Sequence, residues 1–137
     1  MTHLNYMLDT NIASYIIKGS HPVVLKHLRQ IPMSRICISS ITEAELRFGL
    51  AKRGEPQPLK ILVHEFLRRV AILPWDSKAA EKYASLRKTL EQQGKTLGAM
   101  DMLIAAHASA LGVTLITHDQ AFQHAVLFLK QDDWTKE

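Results

Sequence analysis

The chain has 137 residues, 47% hydrophobic and 22% charged, which suits one globular domain spanning residues 1–137 with a sizeable core. Its formal net charge of +4 permits a nucleic-acid partner without requiring one. A single cysteine excludes an internal disulfide, no apolar stretch is long enough to span a bilayer, and the N-terminus lacks the basic and apolar regions of a signal peptide, so a soluble, cytoplasmic protein with no membrane partner is expected.

Tyr6-Met7-Leu8 reads as a short buried strand that ends at Asp9, and a helix follows through Ile17. Lys18 to Pro22 is a turn, and Val23, Val24, Leu25 and Leu28 mark a second, short helix that ends near Pro32. Arg35 to Ser39 is apolar and partly β-branched, a second buried strand in which Cys37 is a small hydrophobe rather than a nucleophile. Ser39 or Ser40 caps the helix from Ile41 to about Arg53, and Glu43 completes a capping box with Ser40. Gly54 to Pro58 is a loop, and Leu59 to Arg69 is helical in pattern. Val70 to Leu73 is a third strand, Asp76 to Gln93 a long polar helix, and Gly94 its stop. Met100 to Leu111 is apolar on all sides, as a buried helix is. Val113 to Thr117 is a fourth strand, followed by a short helix from Gln120 and a weak strand near Val126 to Leu129. Strands alternating with helices predict an α/β fold with a parallel sheet and right-handed crossovers.

Four acids stand out. Asp9 ends the first strand, Glu45 lies in the helix after the second, Asp101 opens the buried helix, and Asp119 follows the fourth strand. Each is near a strand's carboxyl end or a helix's first turns, where ligands of open α/β sheets sit. Three of them also have a plainer reading: Asp9 and Asp119 as helix caps, Asp101 as a partner of a helix dipole. Glu45 shares a helical face with Ile41, Ala44 and Phe48 and is taken as the inward acid, whereas Glu43 has Arg47 four residues on, the order of a surface ion pair. Asp101 is the only charged residue between Lys95 and Asp119, and acids are rarely buried unless paired or bound to metal.

Grouped carboxylates repel one another unless a hard cation lies among them, and an oxygen-only donor set suits Mg2+ or Mn2+. His107 and His118 are near these acids in sequence, but no zinc spacing exists. With the four acids set aside, nine acids remain against seventeen Lys and Arg, and an acidic metal centre within a basic surface suits a phosphodiester polymer. Lys18, Arg29, Arg47, Lys52, Arg53, Arg87, Lys88 and Lys95 are the candidate contacts to such a polymer, with Arg47, Lys52, Arg87 and Lys95 foremost.

Met-Leu-Asp-Thr-Asn at 7–11, Ser-Ser-Ile-Thr-Glu-Ala-Glu-Leu-Arg-Phe-Gly at 39–49, Gly-Ala-Met-Asp-Met-Leu-Ile-Ala-Ala-His-Ala at 98–108 and Leu-Ile-Thr-His-Asp-Gln-Ala-Phe at 115–122 resemble the PIN-domain toxins of VapC type. Four motifs in family order and spacing carry the resemblance, and Asp133-Trp134 resembles the family's usual ending. It implies a three-layer α/β/α fold and a Mg2+- or Mn2+-dependent endoribonuclease. It places Asp9, Glu45 and Asp101 at the family's main catalytic and metal-binding positions, Asp119 at its variable fourth, and Thr10, Asn11 and Thr117 at its supporting polar ones. It also implies a homodimer or larger assembly, a VapB-type antitoxin through which alone operator DNA is bound, and an RNA substrate, often initiator tRNA. His118 departs from the family's frequent asparagine, and Gln123 to Gln131 lacks its frequent glycine. A haloacid-dehalogenase-like phosphatase needs a second acid where Asn11 stands, and a response-regulator receiver needs an acid pair that is absent here.

Overall fold

The computed structural model describes residues 3–137. Five short strands, β1 (Tyr6–Leu8), β2 (Ile36–Ser39), β3 (Ala71–Leu73), β4 (Thr114–Ile116) and β5 (Gln131–Asp132), pair in parallel in the order β3-β2-β1-β4-β5. Six helices connect them: α1 (Thr10–Lys18), α2 (Pro22–Arg29), α3 (Ser40–Lys52), α4 (Gln57–Arg69), α5 (Ser77–Gln92) and α6 (Ala99–Leu111).

Alternate strand residues face opposite ways, and the sheet therefore divides two cores. Leu8, Ile36, Ile38 and Ile116 pack with Ile12, Val24, Leu50, Val63 and Phe66 from the first four helices. Met7, Cys37 and Leu115 pack with Leu86, Leu90, Ile104 and Ala105 from α5 and α6. The result is the expected α/β/α layering around a parallel sheet. Cys37 is fully buried and its thiol is pushed up to about 12 by burial, the behaviour of a packing residue.

From β1 the chain moves outward through β2 to β3 with helices on one face. It then returns over the other face through α5 and α6 to β4, on the far side of β1. The strand order thus reverses between β1 and β4, and the crevice beyond their carboxyl ends is the topological switch point where such sheets bind ligands.

Two local expectations change. The Ser40–Glu43 capping box does not form: Ser39 is the cap, its Oγ accepting the Ile41 N–H at 3.1 Å, while Ser40 Oγ accepts the Trp75 N–H. The last strand is not at Val126 to Leu129 but at Gln131–Asp132, where Leu115 N–H donates to Lys130 O and Thr117 N–H to Asp132 O. Leu129 and Phe128 cover the α5–α6 core instead, and Leu127 is 86% exposed. Behind this edge, the fully buried Trp134 stacks on His27 and tilts against Tyr6, which anchors the tail.

Candidate active site

Asp9 follows β1 and is the N-cap of α1, its Oδ1 accepting the Ile12 N–H at 2.9 Å. The cap and the site are thus the same residue: Asp9 is 4% exposed, and burial together with Asp119 and Glu45 raises its pKa, against hydrogen bonds from Thr117 and Ile12. Asp119 caps the 3₁₀ turn Gln120–Ala125 through the Ala121 N–H at 2.9 Å, is itself exposed, and donates its own N–H to Thr117 Oγ1 at 3.0 Å. Thr117 therefore ties the first acid to the fourth.

Glu45 reaches the same crevice from α3, where the Thr10 hydroxyl donates to its Oε1. The reason differs from the expected one. Ala44 and Phe48 are exposed, and the buried stripe of α3 is Thr42, Leu46 and Leu50. Glu45 flanks that stripe on the side of α1, while Glu43 pairs with Arg47 at 2.9 Å. Asp101 lies in the first turn of α6. Its pKa is raised to about 6 by burial and then by Asp119, Asp9 and Glu45, so four acids from four separate segments share one field.

Each carboxylate but Asp101 is drawn to a local donor, and among the described residues no three His, Cys, Asp or Glu side chains close around a point as they stand. They act on one another across an open crevice instead. The donors are oxygens only, their mutual repulsion is uncompensated, and Gly98 leaves Asp101 accessible: a Cβ there would lie 3.4 Å from Oδ2. This donor set fits a hard divalent cation.

Asp101 gives a stability prediction for the protein in chelator. Its folded-state pKa exceeds the ordinary 3.8, so between about pH 4 and 6 the native chain holds the proton that the unfolded chain releases. Ionisation of Asp101 then destabilises the fold progressively over that window and fully above it. Asp101→Asn is expected to raise Tm by a few degrees (roughly) at pH 7.5, and the gain should vanish near pH 4. A variant that melts below wild type at pH 7.5 contradicts the assigned field.

Asn11, Thr10 and Glu45 line a groove between α1, α3 and α4 whose floor is Ile17, Leu46, Leu50 and Val63. Lys18 and Arg53 line the other end of that groove, at the C-terminal ends of α1 and α3, about two helical turns from Thr10 and Glu45. They are the basic residues that share a groove with one of the four acids, and sequence gives no ground for ranking them first because they come from different helices. Arg47 lies in a hollow with His64 and Arg68. Arg87, bonded to Glu91 and Tyr83, lines another hollow with Lys95, near the start of α6. Lys52 is exposed at the end of α3.

The histidines near the acids are otherwise engaged. His107 is 1% exposed, hydrogen-bonded through Nδ1 to Ser39 Oγ at 2.8 Å, and burial lowers its pKa. His118 Nδ1 bonds to Asp133 at 2.8 Å and to Thr135. No helix among the described residues is long and apolar enough to cross a membrane.

Residues 6–126 match the PIN domain family. The chain is 36% identical to ribonuclease VapC2 of Haemophilus influenzae over 131 residues, 96% of this chain and 98% of that protein. It is 32% identical to the tRNA(fMet)-specific endonuclease VapC of Shigella flexneri over 132 residues, 96% of this chain and 99% of that one. The fold superposes with a TM-score of 0.86 on VapBC2 from Rickettsia felis bound to a DNA fragment from their promoter, at 34% identity and with 96% and 99% of the two chains covered.

Proposed function

The chain belongs to the PIN-domain family, among its VapC-type members, and from that premise we propose that it is the toxin of a type II toxin–antitoxin pair: a Mg2+- or Mn2+-dependent endoribonuclease that inhibits translation until a VapB-type antitoxin neutralises it. The observation that carries this reading is the shared field of Asp9, Glu45, Asp101 and Asp119 at the switch point between β1 and β4. Neighbouring carboxylates help raise the pKa of Asp9 and of Asp101, ionising these two is costly to the fold, and binding a cation recovers that cost.

A divalent cation bound by these carboxylates supplies Lewis acidity toward the phosphate and makes water a nucleophile at neutral pH. The chain's own residues hold the arrangement in place. Thr10 orients Glu45, while Thr117 and the Ile12 N–H orient Asp9. Lys18 and Arg53 attract the phosphate backbone to the groove beside Glu45. Asp119, exposed and already a cap, acts at the edge of the site. The name of the Shigella flexneri relative favours initiator tRNA as substrate. The Rickettsia felis complex favours a VapB-type partner, and operator DNA is bound through that partner by a toxin homodimer or a larger assembly.

The test is cleavage of initiator tRNA by the purified chain freed of antitoxin. Excess EDTA is expected to abolish cleavage, and Mg2+ or Mn2+ to restore it. Undiminished cleavage in chelator refutes the metal-dependent reading.

A further inference from the structure

Resting on the metal-site reading above, we infer that Ser39, Ser40, Trp75 and His107 are positioning residues, a polar clamp, buried at Ser39 and His107 and half-buried at Ser40 and Trp75, that sets the span between the helix carrying Glu45 and the helix carrying Asp101. Ser39 ends β2 and caps α3, and its Oγ also meets His107 Nδ1 on α6 at 2.8 Å. Glu45 lies six residues after Ser39 on one rigid helix, and Asp101 six residues before His107 on the other. A second tether runs beside the first. The Trp75 N–H donates to Ser40 Oγ at 3.1 Å, and its indole N–H donates to Leu103 O on α6 at 2.9 Å. Residues at the ends of β2 and β3 thus hold both acid-bearing helices from behind.

The polarity of the clamp argues for register rather than for cohesion. Ser39 and His107 are 0% and 1% exposed, in a layer otherwise made of Cys37, Ile104, Ala105 and Ala108. An apolar pair of similar volume would be about as stable there, because replacing both partners of a buried hydrogen bond by apolar groups of the same shape is nearly neutral. What apolar packing lacks is direction. Burial favours the neutral form of His107, although Asp76 acts in the other direction, and either partner of the Ser39–His107 bond can then be its donor. Carboxylates that repel one another spread unless their supports are fixed, and only a fixed span lets Glu45 and Asp101 serve one cation.

The experiment is Mn2+ titration of the full chain by calorimetry, read beside Tm. His107→Leu is expected to weaken Mn2+ binding about tenfold, the lower end of the loss seen when a group supporting metal ligands is removed. His107→Asn, which keeps a polar atom at the Nδ1 position, should recover binding to within about threefold of wild type. Ser39→Ala combined with His107→Leu should lose less than the sum of the two single losses, since both break the Ser39–His107 contact and Ser39→Ala adds only the loss of the cap on Ile41. Leu90→Ala, in the same core but outside the clamp, supplies a destabilised control. The inference is overturned if His107→Leu binds like wild type or loses no more affinity than Leu90→Ala. Should His107→Leu not fold, weak binding by a well-folded His107→Asn and normal binding by Trp75→Phe overturn it equally. Failure of the wild-type chain to bind Mn2+ refutes the metal site itself, and the clamp's role with it.

Discussion

Asp9→Asn, Glu45→Gln and Asp101→Asn are each expected to abolish growth inhibition and to cut RNA cleavage by at least about a hundredfold, beyond the 10- to 100-fold typical of losing a group that only orients a ligand. Each change removes one negative charge at nearly constant shape, and the structure shows why the fold should survive. Asn is as good an N-cap as Asp, so α1 keeps its first hydrogen bond from the Ile12 N–H. Gln retains the oxygen that accepts from Thr10. Asn at 101 relieves repulsion by Asp119, Asp9 and Glu45. Lost activity with an unchanged or higher Tm therefore reports the site, not unfolding. Asp119→Asn should lose only about tenfold, because Asp119 is exposed at the rim and its backbone-capping role is kept by Asn. Glu43→Gln should cleave like wild type, since its pair with Arg47 is a surface contact of roughly 0.5 kcal/mol. Inactive Glu43→Gln beside active Glu45→Gln would invert the assignment of the α3 acids.

Which of these residues can be read from sequence depends on how local their signal is. Asp9 is legible because an apolar run stops at an acid, which fixes both the strand's end and the residue beyond it. Asp101 is legible because it is an isolated charge in an apolar helix. Glu43 and Glu45 are a different case. They stand about 200° apart around α3, on opposite flanks of the Thr42–Leu46–Leu50 stripe. Periodicity gives both the same half-buried status, and only the neighbouring α1 with Thr10 decides between them. The face chosen from Ala44 and Phe48 is in fact solvated, so the family motif, not the helical wheel, supports Glu45. The two-residue β5 is polar and paired only by backbone, leaving no side-chain pattern to find. The clamp is the least legible element, because Ser39, Trp75 and His107 meet across three segments and each alone reads as an ordinary residue.

Cleavage is expected to leave a 5′-phosphate and a 3′-hydroxyl, and to persist when the nucleotide 5′ to the scissile phosphate is a deoxynucleotide. The alternative route uses the 2′-hydroxyl as nucleophile and leaves a cyclic phosphate with a 5′-hydroxyl. That route needs a general base and a general acid on opposite sides of the phosphorus, and histidine pairs usually supply them. Here, among the described residues, the structure leaves no histidine pair near the acids. His107 is buried, neutral and bonded to Ser39 behind the site, so it faces no substrate. His118 is turned to Asp133 and Thr135, the contact that fixes the C-terminal tail. The groups left in the crevice are Asp9, Glu45, Asp101 and Asp119, and four carboxylates in one field suit a displacement by water with the 3′ oxygen leaving. The check is a short RNA with one deoxynucleotide at the cut, with end groups read by mass spectrometry. Cleavage at that bond should fall less than about tenfold, the loss reflecting altered sugar pucker and a missing polar contact rather than a missing nucleophile. Complete loss there, together with cyclic-phosphate ends on the all-ribose strand, would mean that the 2′-hydroxyl attacks. The carboxylates would then be left without a role in the bond-breaking step.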